Sequence, residues 1–123
     1  TGLEPREVRA LLPGGALRSD LTVAVAGARP QGWLAGTGLA LADGFVRVGA
    51  TLQSSDPAVF AVGDCAHMSH APRPKAGVFA VRQAPVLHHN LRALLAGGAR
   101  LRGYRPQRGY LKLVSLGERA ALA

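Results

Sequence analysis

A nine-residue stretch, Asp56-Pro57-Ala58-Val59-Phe60-Ala61-Val62-Gly63-Asp64, limits what this chain can fold into more than any other. Its centre, Val59 to Val62, is a short apolar run containing β-branched and aromatic residues, and reads as a buried strand. Pro57 precedes the strand and Gly63 ends it, where the absence of a Cβ permits a sharp turn or a close approach. Asp64 is then expected at the carboxyl end of a buried strand, where open α/β sheets hold their ligands. A turn or cap role for Asp64 is the plainer alternative.

At 123 residues the chain is long enough for one domain, and 48% hydrophobic residues make it globular rather than disordered. No run approaches the ~18 apolar residues that a bilayer-spanning helix requires. The first residues, Thr1-Gly2-Leu3, carry neither an initiator Met nor a leader pattern, so a fragment or excised domain is expected. The formal net charge of +8 comes almost wholly from arginine. Such a balance suits nucleic acid, a membrane surface or an anionic cofactor. Cys65 is the single cysteine, which excludes an internal disulfide or a Cys-x-x-Cys pair and fits a reducing, cytoplasmic compartment.

Taken in order, Val8 to Leu12 reads as a strand, Pro13-Gly14-Gly15 as a turn and Ala16 to Arg18 as a return strand. Leu21 to Ala26 is a continuous apolar run, as in a buried parallel strand, and Gly27-Ala28-Arg29-Pro30 follows as a loop. Gln31 to Leu41 holds a short helix. Gly36-Thr37-Gly38 lacks the third glycine and the following helix of a dinucleotide loop, because Asp43-Gly44 is a turn signal. Phe45 to Val48 alternates as a strand, and Thr51-Leu52 is placed to pair nearby. Cys65, His67 and His70 lack a fourth metal ligand and read as loop residues. Residues 69–75, with Pro72 and Pro74, form a non-helical loop.

Ala76 to Leu95 has helical spacing, with Val78, Val81, Val86, Leu87, Leu91, Leu94 and Leu95 as its apolar stripe and Phe79 and Ala84 widening it. Pro85 is expected to kink or split the helix, and Gly97-Gly98 to stop it. Lys75 and Pro74 stand where an N-cap side chain belongs, so the first backbone N–H groups are left free for an anion or carbonyl oxygen. The tail reads as a basic linker over Gly103 to Arg108, a strand over Tyr110 to Ser115, a turn at Gly117-Glu118 and a return strand over Arg119 to Leu122.

These pieces carry a resemblance. Phe60-Ala61-Val62-Gly63-Asp64-Cys65-Ala66 resembles the second flavin signature of the FAD-dependent pyridine nucleotide-disulfide oxidoreductases. Ala26-Gly27-Ala28-Arg29-Pro30 is similar, with Ala for Thr, to the element that crosses from the nicotinamide domain back to the FAD domain. Pro72 to Gln83, Asn90-Leu91 and Tyr104 to Gln107 look like the C-terminal third of type II NADH dehydrogenase-like flavoproteins, in the subgroup associated with selenide, water dikinase.

The resemblance implies an α/β fold: the C-terminal fragment of a two-dinucleotide-binding-domain flavoprotein, with a partial FAD-domain sheet, one long kinked helix and a C-terminal β-hairpin. Residues 1–30 would end the nicotinamide domain and cross over, 31–98 would form the second half of the FAD domain, and 99–123 a β extension. It implies FAD as cofactor and NAD(P)H as hydride donor. Asp64 would bond the ribityl chain, with Gly63 allowing close approach. Ala76, Gly77 and Val78 would present backbone N–H groups to the flavin ring, and Gly27 would approach the cofactor. Lys75 and Gln83 are candidate supporting groups. The glycine-rich loops for FAD and NADH would lie on a missing N-terminal portion, so the isolated chain is expected to be inactive. Gly77 and Val81 stand where quinone-reducing members carry glutamines, which argues against quinone as the acceptor.

Two further functions compete. The isolated chain would serve as a structural module, completing a larger flavin domain or forming a homodimer through bare sheet edges. Arg100, Arg102, Arg105 and Arg108, interleaved with Tyr104 and Tyr110, would suit nucleic acid, but no recognition-fold signature accompanies them.

Overall fold

A computed structural model describes residues 8–12, 15–21, 27–98 and 100–122. The expected strand from Leu21 to Ala26 falls mostly outside that range; Leu21 itself is exposed. The expected hairpin at the start is present. Strand β1 (Val8–Leu12) pairs antiparallel with β2 (Gly15–Ser19), in register from Val8↔Ser19 to Leu12↔Gly15.

The central sheet has three strands in the order β3-β4-β5. Strands β3 (Leu41–Ala42) and β4 (Phe45–Val48) form a tight hairpin through Asp43 and Gly44, both at positive φ (51° and 78°). Two consecutive left-handed residues suit the twist of a two-residue hairpin, and Asp-Gly supplies them at low cost. Strand β5 (Ala66–Met68) runs parallel to β4 in the register Val46↔Ala66 and Val48↔Met68. A side chain on Gly44 would lie 2.7 Å from Pro30 Cγ, so the loop after Gly27 is packed onto this turn. Gly44→Ala adds left-handed strain of about 1–2 kcal/mol to that overlap. A clear drop in melting temperature is expected, and an unchanged one would show Pro30 giving way.

The core gathers around this sheet: Leu34 from a 3₁₀ turn (Gly32–Gly36), Val46 and Val48 from β4, Leu52, Ala61, Ala66, Met68 and Tyr104. Leu52 is fully buried and left-handed, φ 68°. Its N–H donates to Gly49 O and its carbonyl accepts from Ala61 N–H, so the strained residue closes a turn that hands the chain on to residues 59–62.

Those residues correct the first expectation. Val59 to Val62 is extended but not a regular strand: it makes one bridge, Phe60 to Gln53, and Val59 is exposed. Ala61 is the one buried residue of the four. Among the described residues, the short 52–54 segment is all that pairs with it. The turn at Ser54 to Ala58 is tied locally, Ala58 N–H donating to Asp56 Oδ1 (2.8 Å). The segment from Cys65 to His70, expected as a loop, instead contains β5.

Helix α1 (Gly77–Leu95, 19 residues) ends where expected. Gly98 N–H donates to Ala93 O and Gly97 N–H to Leu94 O, with both glycines left-handed, a Schellman stop. The helix is not split at Pro85, which faces solvent. Proline withholds one N–H, from the carbonyl four residues back on exposed Val81. The expected apolar stripe is corrected too. Val81 is 72% and Leu95 87% exposed, while the buried positions are Phe79, Gln83, Asn90 and Ala93. Two amides occupy the inward face because backbone groups of neighbouring loops meet them there.

The tail is docked rather than free. Tyr104 N–H donates to Ala50 O at 2.8 Å and its side chain joins the core. Tyr110 meets Phe79 edge-on, ring centres 5.2 Å apart. The closing hairpin is β6 (Val114–Gly117) with β7 (Ala120–Leu122); the strand expected from Tyr110 begins only at Val114.

Candidate functional site

Gly63, Asp64 and Cys65 form a 3₁₀ turn between the extended segment and β5. Gly63 is left-handed, φ 67°, which a side chain tolerates poorly. A Cβ there would stand 3.2 Å from Ala80 Cβ, so the close approach at this glycine is to helix α1. Its N–H donates to Gln83 Oε1 at 2.6 Å. The other end of that amide, Nε2, lies 3.2 Å from Met68 Sδ on β5. Gln83 is 1% exposed and therefore joins helix, turn and sheet from inside.

Asp64 faces outward, and its carboxylate accepts no hydrogen bond from the described residues. Cys65 is exposed as well, its thiol donating to Val62 O at 3.2 Å.

The start of α1 lies beside this turn. Ala76 is its N-cap, in extended conformation (φ −155°, ψ 137°), with no side-chain acceptor and no acidic residue in the first turn. The leading N–H groups, of Gly77 and Val78, donate to no acceptor among the described residues, and a Cβ added at Gly77 would meet nothing within 4 Å. Free donors at the positive end of a helix favour an electron-rich oxygen.

Lys75 reaches back beneath this rim. Its Nζ donates to Ala66 O and sits 3.9 Å from the centre of the Phe45 ring. Burial pushes its pKa below the ordinary lysine range, opposed by the nearby Asp64, Cys65 and Asp43. Arg73 is held by its backbone partners, Nε to Gln107 O (3.1 Å) and Nη1 to Pro72 O (2.8 Å).

Gly63, Asp64, Lys75, Ala76 and Gln83 border one cavity of about 50 Å³. That is room for a few waters and no more. A three-ring cofactor would have to lie across the rim. The rim's chemistry fits a flavin there: a carboxylate acceptor for a hydroxyl, backbone donors for a ring carbonyl, and no side chain over Gly77. Gly27, left-handed at φ 76° and with no described atom within 4 Å of where its Cβ would be, is not among the residues lining this cavity. The expected set is thus brought together at Gly63, Asp64 and Ala76, with Gly77 and Val78 on the adjoining turn and Gly27 apart.

Other candidates change in the structure. His70 Nε2 is bonded to Tyr104 O (3.1 Å), and no group of three or more metal-ligating side chains gathers among the described residues. Burial of Tyr104 removes it as a base-stacking platform and raises its pKa, with Arg82 and Arg73 pulling the other way. Among the described residues, no helix is long and apolar enough to cross a membrane.

Asn90 is a structural residue that counting apolar positions passed over. It stands seven places after Gln83, two turns along the same face, and that spacing was the available signal. Its Nδ2 donates to Thr51 O (2.8 Å) and Arg102 O (2.9 Å), and its Oδ1 accepts from Arg102 N–H (2.7 Å).

Residues 4–84 match the pyridine nucleotide-disulphide oxidoreductase family, about two-thirds of the chain. The chain belongs to this family. The matched span includes the Asp64 turn and the first two turns of α1, so it contains the whole rim and Gln83. Family members are oxidoreductases that generally bind FAD and use pyridine nucleotides. No curated protein and no solved structure matches the chain.

Proposed function

We propose that this chain is the C-terminal part of an FAD-dependent NAD(P)H oxidoreductase of the type II NADH dehydrogenase-like kind, in the subgroup associated with selenide, water dikinase. It supplies the ribityl and ring contacts of the flavin site, and a preceding portion of polypeptide supplies the pyrophosphate loop. The observation that carries this reading is the meeting of an exposed, unbonded Asp64 carboxylate with the uncapped start of α1 at one rim. Asp64 accepts a hydrogen bond from the ribityl chain. The N–H groups of Gly77 and Val78 donate to the pyrimidine edge, and the positive end of the helix favours negative charge there. Bound flavin supplies hydride acceptance from the nicotinamide and onward electron delivery.

Titration with FAD and with FMN tests the reading through flavin fluorescence. A site built only on ribityl and ring should bind the two within about fivefold, since the adenylate half adds less than about 1 kcal/mol. FAD binding more than a hundredfold tighter would move the contacts to the adenine half. Binding of neither flavin would overturn flavin holding by this chain.

A complementing structural role has its own support. A groove of about 460 Å³ opens beside residues 59–62, lined by Leu34, Leu39, Val59, Phe60 and an exposed Trp33. An apolar groove next to a sparsely paired extended segment suits the packing of a further strand or a second copy. Light scattering reads the second copy directly, and a mass of one chain excludes it.

A further inference from the structure

Gln83 presents a geometry that its place on a helix does not require. A buried glutamine on α1 needs partners only to be satisfied. This one takes its acceptor bond from Gly63, the residue immediately before Asp64, at 2.6 Å. It stands less than two helical turns after Gly77 and Val78. The two halves of the rim, one from a turn and one from a helix end, are therefore tied by a single side chain. Ala80 faces the turn here, 3.2 Å from where a Gly63 Cβ would be, so the turn lies close against the helix because residue 63 has no side chain. Gln83 stops the turn from moving away. Met68 Sδ fixes the opposite end of the amide and with it the rotamer.

From this we infer that Gln83 is a positioning residue for the flavin, setting the separation between the Asp64 carboxylate and the first N–H groups of α1. The inference rests on the flavin reading above. It follows that the acceptor oxygen matters more than the amide nitrogen, because sulfur is a weak acceptor and Gly63 N–H has no other partner among the described residues. Gln83→Met keeps the length and apolar packing but removes the acceptor. Gln83→Glu, which burial keeps protonated, retains an acceptor oxygen toward Gly63 and an O–H toward Met68 Sδ.

The test compares wild type and both variants by FAD titration and by the two-electron midpoint potential of the bound flavin, with thermal melts alongside. Gln83→Met should weaken FAD binding about tenfold, and bind the reduced form about tenfold worse again. The potential would then shift by about −30 mV, tenfold being 29.6 mV for two electrons. Gln83→Glu should restore affinity and potential to near wild type. A Gln83→Met protein that melts lower but keeps both values would overturn the inference and leave Gln83 a packing residue. Unfolding of both variants would overturn it in the same sense. Absence of flavin binding by wild type would overturn the flavin reading and this inference together, an outcome distinct from the other two.

Discussion

Replacing Asn90 by leucine is expected to cost about 3–5 kcal/mol of folding stability, a large fraction of what a domain of this size has. The figure follows from what is left behind. Asn90 is fully buried, and its loss orphans the carbonyls of Thr51 and Arg102 and the N–H of Arg102 at once. Each buried, unpaired backbone group costs roughly 1–3 kcal/mol, and the three are not independent. A domain of this size has roughly 6–15 kcal/mol in hand. Asn90→Asp should be nearly as damaging, because an oxygen would then face two carbonyl oxygens. Denaturant midpoints followed by circular dichroism decide the matter. A midpoint equal to wild type would show water taking the amide's place.

Asp64→Ala is expected to do the reverse: little to folding, much to flavin. The carboxylate is exposed and accepts no hydrogen bond from the described residues, so its loss should move stability by about 0.5 kcal/mol or less. A hydrogen bond to a charged group contributes about 1.5–3 kcal/mol, so flavin affinity should fall about 10- to 100-fold. Asp64→Asn keeps one acceptor oxygen and should fall between. Titration of the three proteins under one set of conditions gives the answer, and equal affinities would remove Asp64 from the site.

The contrast shows which parts of the molecule were legible beforehand. Turn chemistry was: Asp43-Gly44 and Gly97-Gly98 each announce a left-handed backbone, and each sits where the chain turns or stops. The helix was legible in its limits, from the uncapped Ala76 to the Gly97 stop, but not in its inward face. Apolar counting put Val81 and Leu95 inside. The structure puts Gln83 and Asn90 there, because a buried amide is stabilised by distant backbone groups that no local pattern reveals. The Val59–Val62 run shows the same limit for strands. Its composition is that of a central strand, yet a strand is made by its neighbours, and only one bridge is available to it among the described residues. At the site, Gly63 was expected to make room for a ligand. The contact it makes possible is with Ala80, a matter of helix packing.

The Asn90 clasp also bears on how freely this part of the chain can drift in sequence. It grips main-chain atoms only, at Thr51 and Arg102, and asks nothing of the side chains there. A fastening of that kind is permissive: position 102 tolerates most residues, proline excepted for want of an N–H. The basic side chain of Arg102 is therefore not required by this clasp. The charge there can be retuned by substitution, to suit whatever surface it meets, without loosening the joint beneath.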